Sequence, residues 1–383
     1  MTEFNSNDLI DNAIKGAGHS DFGGESWREG LDRLVDSLNE TAQPTEDGAK
    51  MMGYRLSRLL TNRLAIERTY NEHPEINDQI VQGPIFVIGL PRTGTTALSQ
   101  LVTADPQMRS LRGWESARPV PPPETATEHS DPRIAETQAE YDYVYATWPK
   151  WASMHYETAE TATECQDLLG MEFKAEHFNG MAYIPAYTDW VINCDMKSAY
   201  AYHHRVLKLL QSKCPPYLWH LKTPVHMLYL DALVDEYPNA RFLWSHRDPA
   251  KVLGSVCSLI SYCRSWMSDR SDIETIGNEQ LNIWTEAIRR AIAFRDRVGD
   301  ERFADLSLAD IQTDPLGAIN RSYAQLGIPF DDRSRTAIQK WADGHKHGSH
   351  GKHVSHLEDY GLTEDQVRTA FGSYTRRFEV LLS

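Results

Sequence analysis

The chain has 383 residues, 41% hydrophobic and 24% charged, with a formal net charge of -15. That balance belongs to a folded globular protein, long enough for one large domain or two small ones. The acidic surplus argues against general nucleic-acid binding, though not against a local basic pocket for an anionic cofactor, and no run approaches the roughly 18 apolar residues of a membrane span.

Residues 1 to about 24 are polar and Gly-rich and read as a loosely held arm. From Glu25 onward, Trp27, Leu31, Leu34, Val35 and Leu38 share one helical face. Thr45 to Tyr70 gives a second helix with Met52, Leu56, Leu59 and Leu60 inward. This pair carries no catalytic pattern; covering the sheet, roofing a pocket and forming a homodimer contact are the roles open to it. His73-Pro74 breaks the pattern, and Pro84 starts the first strand.

Ile85 to Ile88 is a short apolar, β-branched run, the signature of a buried parallel strand. Gly89 to Gly94 makes a tight turn, and Leu98, Leu101 and Val102 recur at helical spacing until Asp105-Pro106. Strand, glycine-bounded loop and helix N-terminus form a phosphate cradle, because loop and helix N–H groups converge on one point. In the P-loop pattern G-x-x-x-x-G-K-[ST] a Lys follows the second Gly and reaches the β/γ-phosphates. Here Thr95 takes that place and the cation, Arg92, sits inside the loop. The spacing therefore points to a nucleotide with no γ-phosphate to transfer.

Beyond Leu111-Arg-Gly-Trp-Glu-Ser116 the cluster Pro119 to Pro123 marks a rigid surface connection. Residues 131–212 read as helices rich in aromatics: Tyr141, Tyr143, Tyr145, Trp148, Trp151, Tyr183, Tyr187, Trp190, Tyr200 and Tyr202. They serve either a pocket for an apolar or aromatic ligand or plain helix packing. Tyr217 to Lys222 is the second predicted strand and Arg241 to His246 the third, with an amphipathic helix through Met227, Leu230 and Leu233 between them. Asp248 is a natural N-cap and Pro249 fits the first helical position. The alternation predicts an α/β fold with a parallel sheet, and Arg247 falls at the carboxyl end of a strand, where such sheets bind ligands. Ile283 to Val298 is a further predicted helix, 343–360 a Gly- and His-rich loop, and Thr363-Glu-Asp-Gln366 a capping box opening the last helix.

The five cysteines (Cys165, Cys194, Cys214, Cys257, Cys263) are odd in number and form no C-x-x-C pair. They read as reduced thiols. Met1-Thr-Glu-Phe-Asn lacks a basic then apolar leader, so the expectation is a cytoplasmic enzyme.

Three stretches converge on one family. Gly89-Leu-Pro-Arg-Thr-Gly-Thr-Thr96, Leu221-Lys-Thr-Pro224 and His246-Arg-Asp-Pro249 with Ser255 resemble the PAPS-dependent sulfotransferases, nearest the bacterial branch with Pro-Arg-[Ser/Thr]-Gly-Thr-Thr loops and similar to tyrosylprotein sulfotransferases. The resemblance covers roughly residues 80–383. It implies a P-loop-like parallel sheet flanked by helices: an N-terminal helical extension (1–80), then a sulfotransferase domain (81–383) with a helical acceptor-side insertion (131–212). It implies PAPS (3′-phosphoadenylyl sulfate) as co-substrate, 3′,5′-ADP (PAP) as product, and a small-molecule or lipid-like acceptor bearing a hydroxyl or amine.

By that likeness Arg92, Thr93, Gly94, Thr95 and Thr96 hold the 5′ side, while Arg247 and Ser255, eight residues apart, hold the 3′-phosphate. Lys222 and Arg92 are the catalytic cations. Where cytosolic relatives carry a catalytic His, this chain has Pro224, with His226 out of register. Tyrosylprotein sulfotransferases place a Glu about two dozen residues past the loop's Arg, which nominates Glu115 as the base. A Gly- and Lys-containing loop that closes over the 3′-phosphate maps to Gly351-Lys352-His353. His345, His347, His350, His353 and His356 lie in predicted loop without Cys partners, so no metal is assigned. Two rivals stand beside this reading: a P-loop small-molecule kinase using ATP-Mg²⁺ with Asp248 as metal ligand, and a non-catalytic nucleotide-binding module.

Overall fold

The computed structural model describes residues 3–270, 273–345 and 355–382. Five parallel strands form one sheet: β1 (Ile85–Gly89), β2 (Met108–Ser110), β3 (Leu218–Lys222), β4 (Arg241–His246) and β5 (Phe303–Ser307), in the order β2-β3-β1-β4-β5. β1, β3 and β4 are the three strands expected from apolar runs. β2 is only three residues long, and Asp305 interrupts the run of β5, so neither carries a period that sequence reading detects. β1 sits centrally: Ile85 pairs with His220 on one side and Arg241 on the other. Gly89 lies beside Ser245, and Val87 beside Lys222. Parallel register thus brings the ends of β1, β3 and β4 to one edge, at the point where the chain order reverses.

The period-2 geometry of β1 splits its side chains between two cores. Ile85 and Val87 join Leu98, Leu101 and Val102 of the helix Thr95–Thr103, together with Ile319 and Tyr323 of the helix Pro315–Leu326. Phe86 and Ile88 join the larger cluster, which runs continuously from Phe4 to Leu382.

That larger cluster includes the N-terminal helices. Ser6–Ala17 is a helix capped by Asn5, with Ile10 and Ala13 buried. The backbone of Phe4 exchanges two hydrogen bonds with the Asn39 side chain. The loosely held arm expected there is therefore a packed helix; its few apolar residues are spaced to reach Glu46–Glu72, which Thr45 caps through the Gly48 amide at 3.1 Å. Residues 131–212 carry helices from Pro132–Thr147 to Lys197–Gln211 as expected, but 155–165 is not helical and makes an antiparallel bridge from Ala162 to Arg112. The capping box at Thr363 is present, but the final helix divides at Phe371-Gly372 into Glu364–Ala370 and Gly372–Arg377. All five cysteines are free thiols.

Candidate active site

The loop after β1 is shaped by backbone that few residues tolerate. Gly89 has φ +144°, and a Cβ there would lie 2.5 Å from the Ser245 carbonyl oxygen. Gly94 caps the following helix at φ +91°, where a Cβ would meet Leu308 Cδ1 at 2.6 Å. Arg92 occupies the left-handed region at φ +68° without being glycine, a strain found at ligand-binding loops. The amides of Gly94, Thr95, Thr96 and Ala97 find no protein acceptor among the described residues and open the helix Thr95–Thr103. Four free N–H groups at a helix start make an anion nest. Thr93 is turned the other way: its buried hydroxyl donates to Leu90 O and shares a 2.7 Å hydrogen bond with Ser245 Oγ. Its side chain pins the loop to β4.

Beside the nest stands a second cationic group. Arg247 Nη1 donates to Arg92 O at 3.1 Å, and Arg92 Nε to Ser255 Oγ at 3.1 Å. Arg247, Lys251 and Ser255 recur every four residues along and just before the helix Pro249–Met267, so they share one face. All three line the same cleft. Among the described residues none of Arg92, Arg247 and Lys251 has a carboxylate within ion-pair distance. Burial, and then Arg247, pushes the Arg92 guanidinium pKa down; burial likewise depresses Arg247. Adjacent unpaired guanidinium groups repel each other, and an anion between them removes that cost. Lys251 belongs to none of the three sequence motifs; its signal is the four-residue step from Arg247.

Lys222, at the end of β3, is 1% exposed. Its Nζ lies 3.1 Å from Glu164 Oε1 and 3.5 Å from Thr96 Oγ1. Thr223 Oγ1 donates to the other Glu164 oxygen at 3.0 Å. A lysine thus links the anion nest to a carboxylate across the cleft. Nearby, His155 Nε2 and Glu157 Oε1 are 3.3 Å apart. Burial lowers the His155 pKa, but Glu157 more than reverses this and leaves it raised.

Glu115 is not in this group. It is 0% exposed, bonded to Arg109 Nη2 at 2.7 Å, to Arg112 Nη2 at 2.8 Å and to the Arg112 amide at 3.1 Å. Burial pushes its carboxyl up, yet Arg109 and Arg112 overcome this and hold it below the usual range. With both oxygens engaged and no surface on the cleft, Glu115 caps a short helix, which corrects its nomination as base. His226 is buried, and its Nδ1 shares a 2.7 Å hydrogen bond with the Tyr200 hydroxyl. Asp248 accepts from the Ala250 amide at 3.0 Å and pairs with Arg368 at 3.1 Å. Lys352, His347, His350 and His353 lie outside the described residues. His345 stacks on Trp341 at 4.4 Å.

These groups open onto a cleft of about 1410 Å³. Of the ten insertion aromatics, Tyr141, Tyr143, Tyr145, Trp148 and Trp151 line it. Tyr187, Tyr200 and Tyr202 are core, while Tyr183 and Trp190 also stay out of the cleft. Trp266, from the helix after β4, stacks on Trp148 at 4.6 Å and meets Trp151 edge-on at 4.9 Å.

Residues 84–332 match the Sulfotransferase family. The fold is shared with sulfotransferase STF1 from Mycobacterium tuberculosis H37Rv (31% identity, 97% of this chain and 99% of that one, TM-score 0.87). It is shared too with sulfotransferase STF9 from Mycobacterium avium (30%, 98% and 97%, TM-score 0.90). Omega-hydroxy-beta-dihydromenaquinone-9 sulfotransferase Stf3 of Mycobacterium bovis and of Mycobacterium tuberculosis is 23% identical over 257 residues, which is 65% of this chain and 64% of those relatives. With its parallel sheet, its anion nest and a family match across residues 84–332, this chain belongs to the sulfotransferase family.

Proposed function

We propose that the chain moves a sulfonate from PAPS to a hydroxyl or amine of a small-molecule or lipid-like acceptor and releases 3′,5′-ADP. The observation that carries this is the convergence of two anion-binding groups on one cleft: the free amides 94–97 with Lys222, and Arg92, Arg247, Lys251 and Ser255 beside them. Their donors are all amides, hydroxyls and fixed cations, which suits a doubly phosphorylated adenosine. PAPS bound there supplies a sulfonate activated by its bond to phosphate. The amides of Gly94 to Ala97, with Thr95 and Thr96, hold the 5′ side; Arg247, Ser255 and Lys251 hold the 3′-phosphate. Leu308, Gln312 and Trp341 line the cleft as a wall for the base.

In the transfer the acceptor oxygen forms a bond to sulfur while the sulfur–phosphate oxygen bond breaks. The electron pair stays on that phosphate oxygen, where Lys222 and the loop amides stabilise it. The acceptor proton goes to Glu164. This carboxylate is the one the fold sets on Lys222, within reach of a hydroxyl approaching a sulfonate held there. The lipid-like acceptor is supported by the volume of the cleft and its Tyr141, Trp148, Trp151 and Trp266 wall. A relative that acts on a menaquinone derivative favours the same class. Against the kinase alternative, Asp248 is already engaged as an N-cap and in an ion pair with Arg368.

Calorimetric titration with 3′,5′-ADP and with ATP-Mg²⁺ tests the reading. Tight binding of 3′,5′-ADP, lost in Arg247→Ala, is expected; preference for ATP-Mg²⁺ would overturn it.

A further inference from the structure

Among the described residues, five carboxylates line the cleft: Glu140, Glu157, Glu164, Asp167 and Glu176. Four have a basic partner. Glu140 meets Arg118 and Arg58, Glu157 meets His155, Glu164 meets Lys222, and Asp167 meets Arg55 and Arg58. Glu176 has none among the described residues, although it is only 6% exposed. Its carboxylate oxygens make no hydrogen bond, and neither is sealed from open space, so they face the cleft it lines.

Why nothing pairs with it follows from its surroundings. The charged groups that face Glu176 are Arg264, Glu164 and Glu279. Arg264 is held by Glu279 at 2.8 Å and by the Asn179 carbonyl at 3.0 Å, and Lys222 by Glu164. The two neighbouring phenols, Tyr187 and Tyr229, donate to the Phe173 and Val191 carbonyls. Arg264 Nη1 and Nη2 make no hydrogen bond among the described residues, yet no nitrogen of Arg264 or Lys222 lies within ion-pair distance of Glu176, which is the cleft carboxylate left without a partner. The same cleft is also lined by the apolar or neutral side chains Met181, Val225, Val256, Ile260, Gln280 and Trp284. A carboxylate in such a place either takes up a proton or receives a cation from a ligand. Burial does push its carboxyl up, to about 7.

Among the described residues the cleft therefore carries cations with no carboxylate partner, Arg92, Arg247 and Lys251, and one carboxylate with no basic partner, Glu176. We propose that Glu176 binds a basic nitrogen of the acceptor, so that the acceptor is an amphiphilic amine carrying the hydroxyl that is sulfonated. This rests on the proposed sulfonate transfer for the identity of the ligand as acceptor. The carboxylate site itself stands on the geometry alone.

The test uses ω-amino-alkanols of six, eight and ten carbons against n-alkanols of equal length, titrated calorimetrically into the whole protein with and without 3′,5′-ADP. At one chain length or more the amino-alkanol is expected to bind about tenfold tighter than its alkanol, as for other desolvated charge pairs. Glu176→Gln should erase that preference and leave alkanol affinity unchanged. At pH 7 the amine should also displace a proton from Glu176, giving heats that differ between buffers of high and low ionisation enthalpy, and the variant should lose this difference. Equal affinities throughout, or a preference that survives in folded Glu176→Gln, would overturn the proposal. Because binding is read without turnover, failure to transfer sulfonate from PAPS would sink the activity and leave this site standing.

Discussion

Arg92 Nε donates to Ser255 Oγ across 3.1 Å, so the loop after β1 and the helix after β4 meet in one pocket. Removing Ser255 as Ala takes away one hydrogen bond to a charged group and should weaken 3′,5′-ADP about tenfold. Arg247→Ala removes a cation and should cost about 100-fold. Both are read by calorimetry at fixed salt. Equal, small losses would mean that the 3′-phosphate sits elsewhere.

Glu164 and Glu115 separate by what their loss disturbs. Glu164→Gln should lower turnover by about 10²–10⁴ while 3′,5′-ADP affinity holds, because its proposed work is proton transfer, and should lower thermal stability because buried Lys222 loses its carboxylate. Glu115→Gln leaves Arg109 and Arg112 buried beside a neutral amide and should destabilise the fold by about 3–5 kcal/mol. The folded fraction should keep normal turnover per molecule. Full activity in Glu164→Gln would remove Glu164 from the chemistry and leave His155, oriented by Glu157, as the next group to vary.

Thr93→Val tests whether this hydroxyl serves the loop or the ligand. It loses bonds to Leu90 O and Ser245 Oγ in a buried place, worth about 1–3 kcal/mol in urea unfolding. Affinity for 3′,5′-ADP should change little. A tenfold loss of affinity at unchanged stability would show instead that Thr93 turns to meet the ligand.

Glu176 gives the fold a pH dependence of known sign. Its folded pKa, about 7, lies above the ordinary carboxyl value, so the native state binds the extra proton. Stability from this group therefore falls as pH rises from about 4.5 through 7, by something of order 3 kcal/mol at most. Glu176→Gln should flatten that slope and match or exceed the parent in thermal stability at pH 8. An unchanged slope would place the raised titration on another group.

The local chain by itself determined the pieces whose causes lie within a few residues. The β-branched run of β1, the glycine spacing of its loop, the Asp248 cap and the Thr363 capping box follow from backbone sterics and neighbouring N–H groups. The spacing from Arg247 to Ser255 follows from helical pitch, so their shared helical face was legible. The partners of the carboxylates were not. Glu115, Glu164 and Glu176 are the same residue type, and only tertiary packing gives one two arginines, one a lysine and one nothing. It also sent Tyr141 to the cleft and Tyr200 to the core. Charge pairing and desolvation depend on groups remote in sequence and close in space, and no local pattern encodes them.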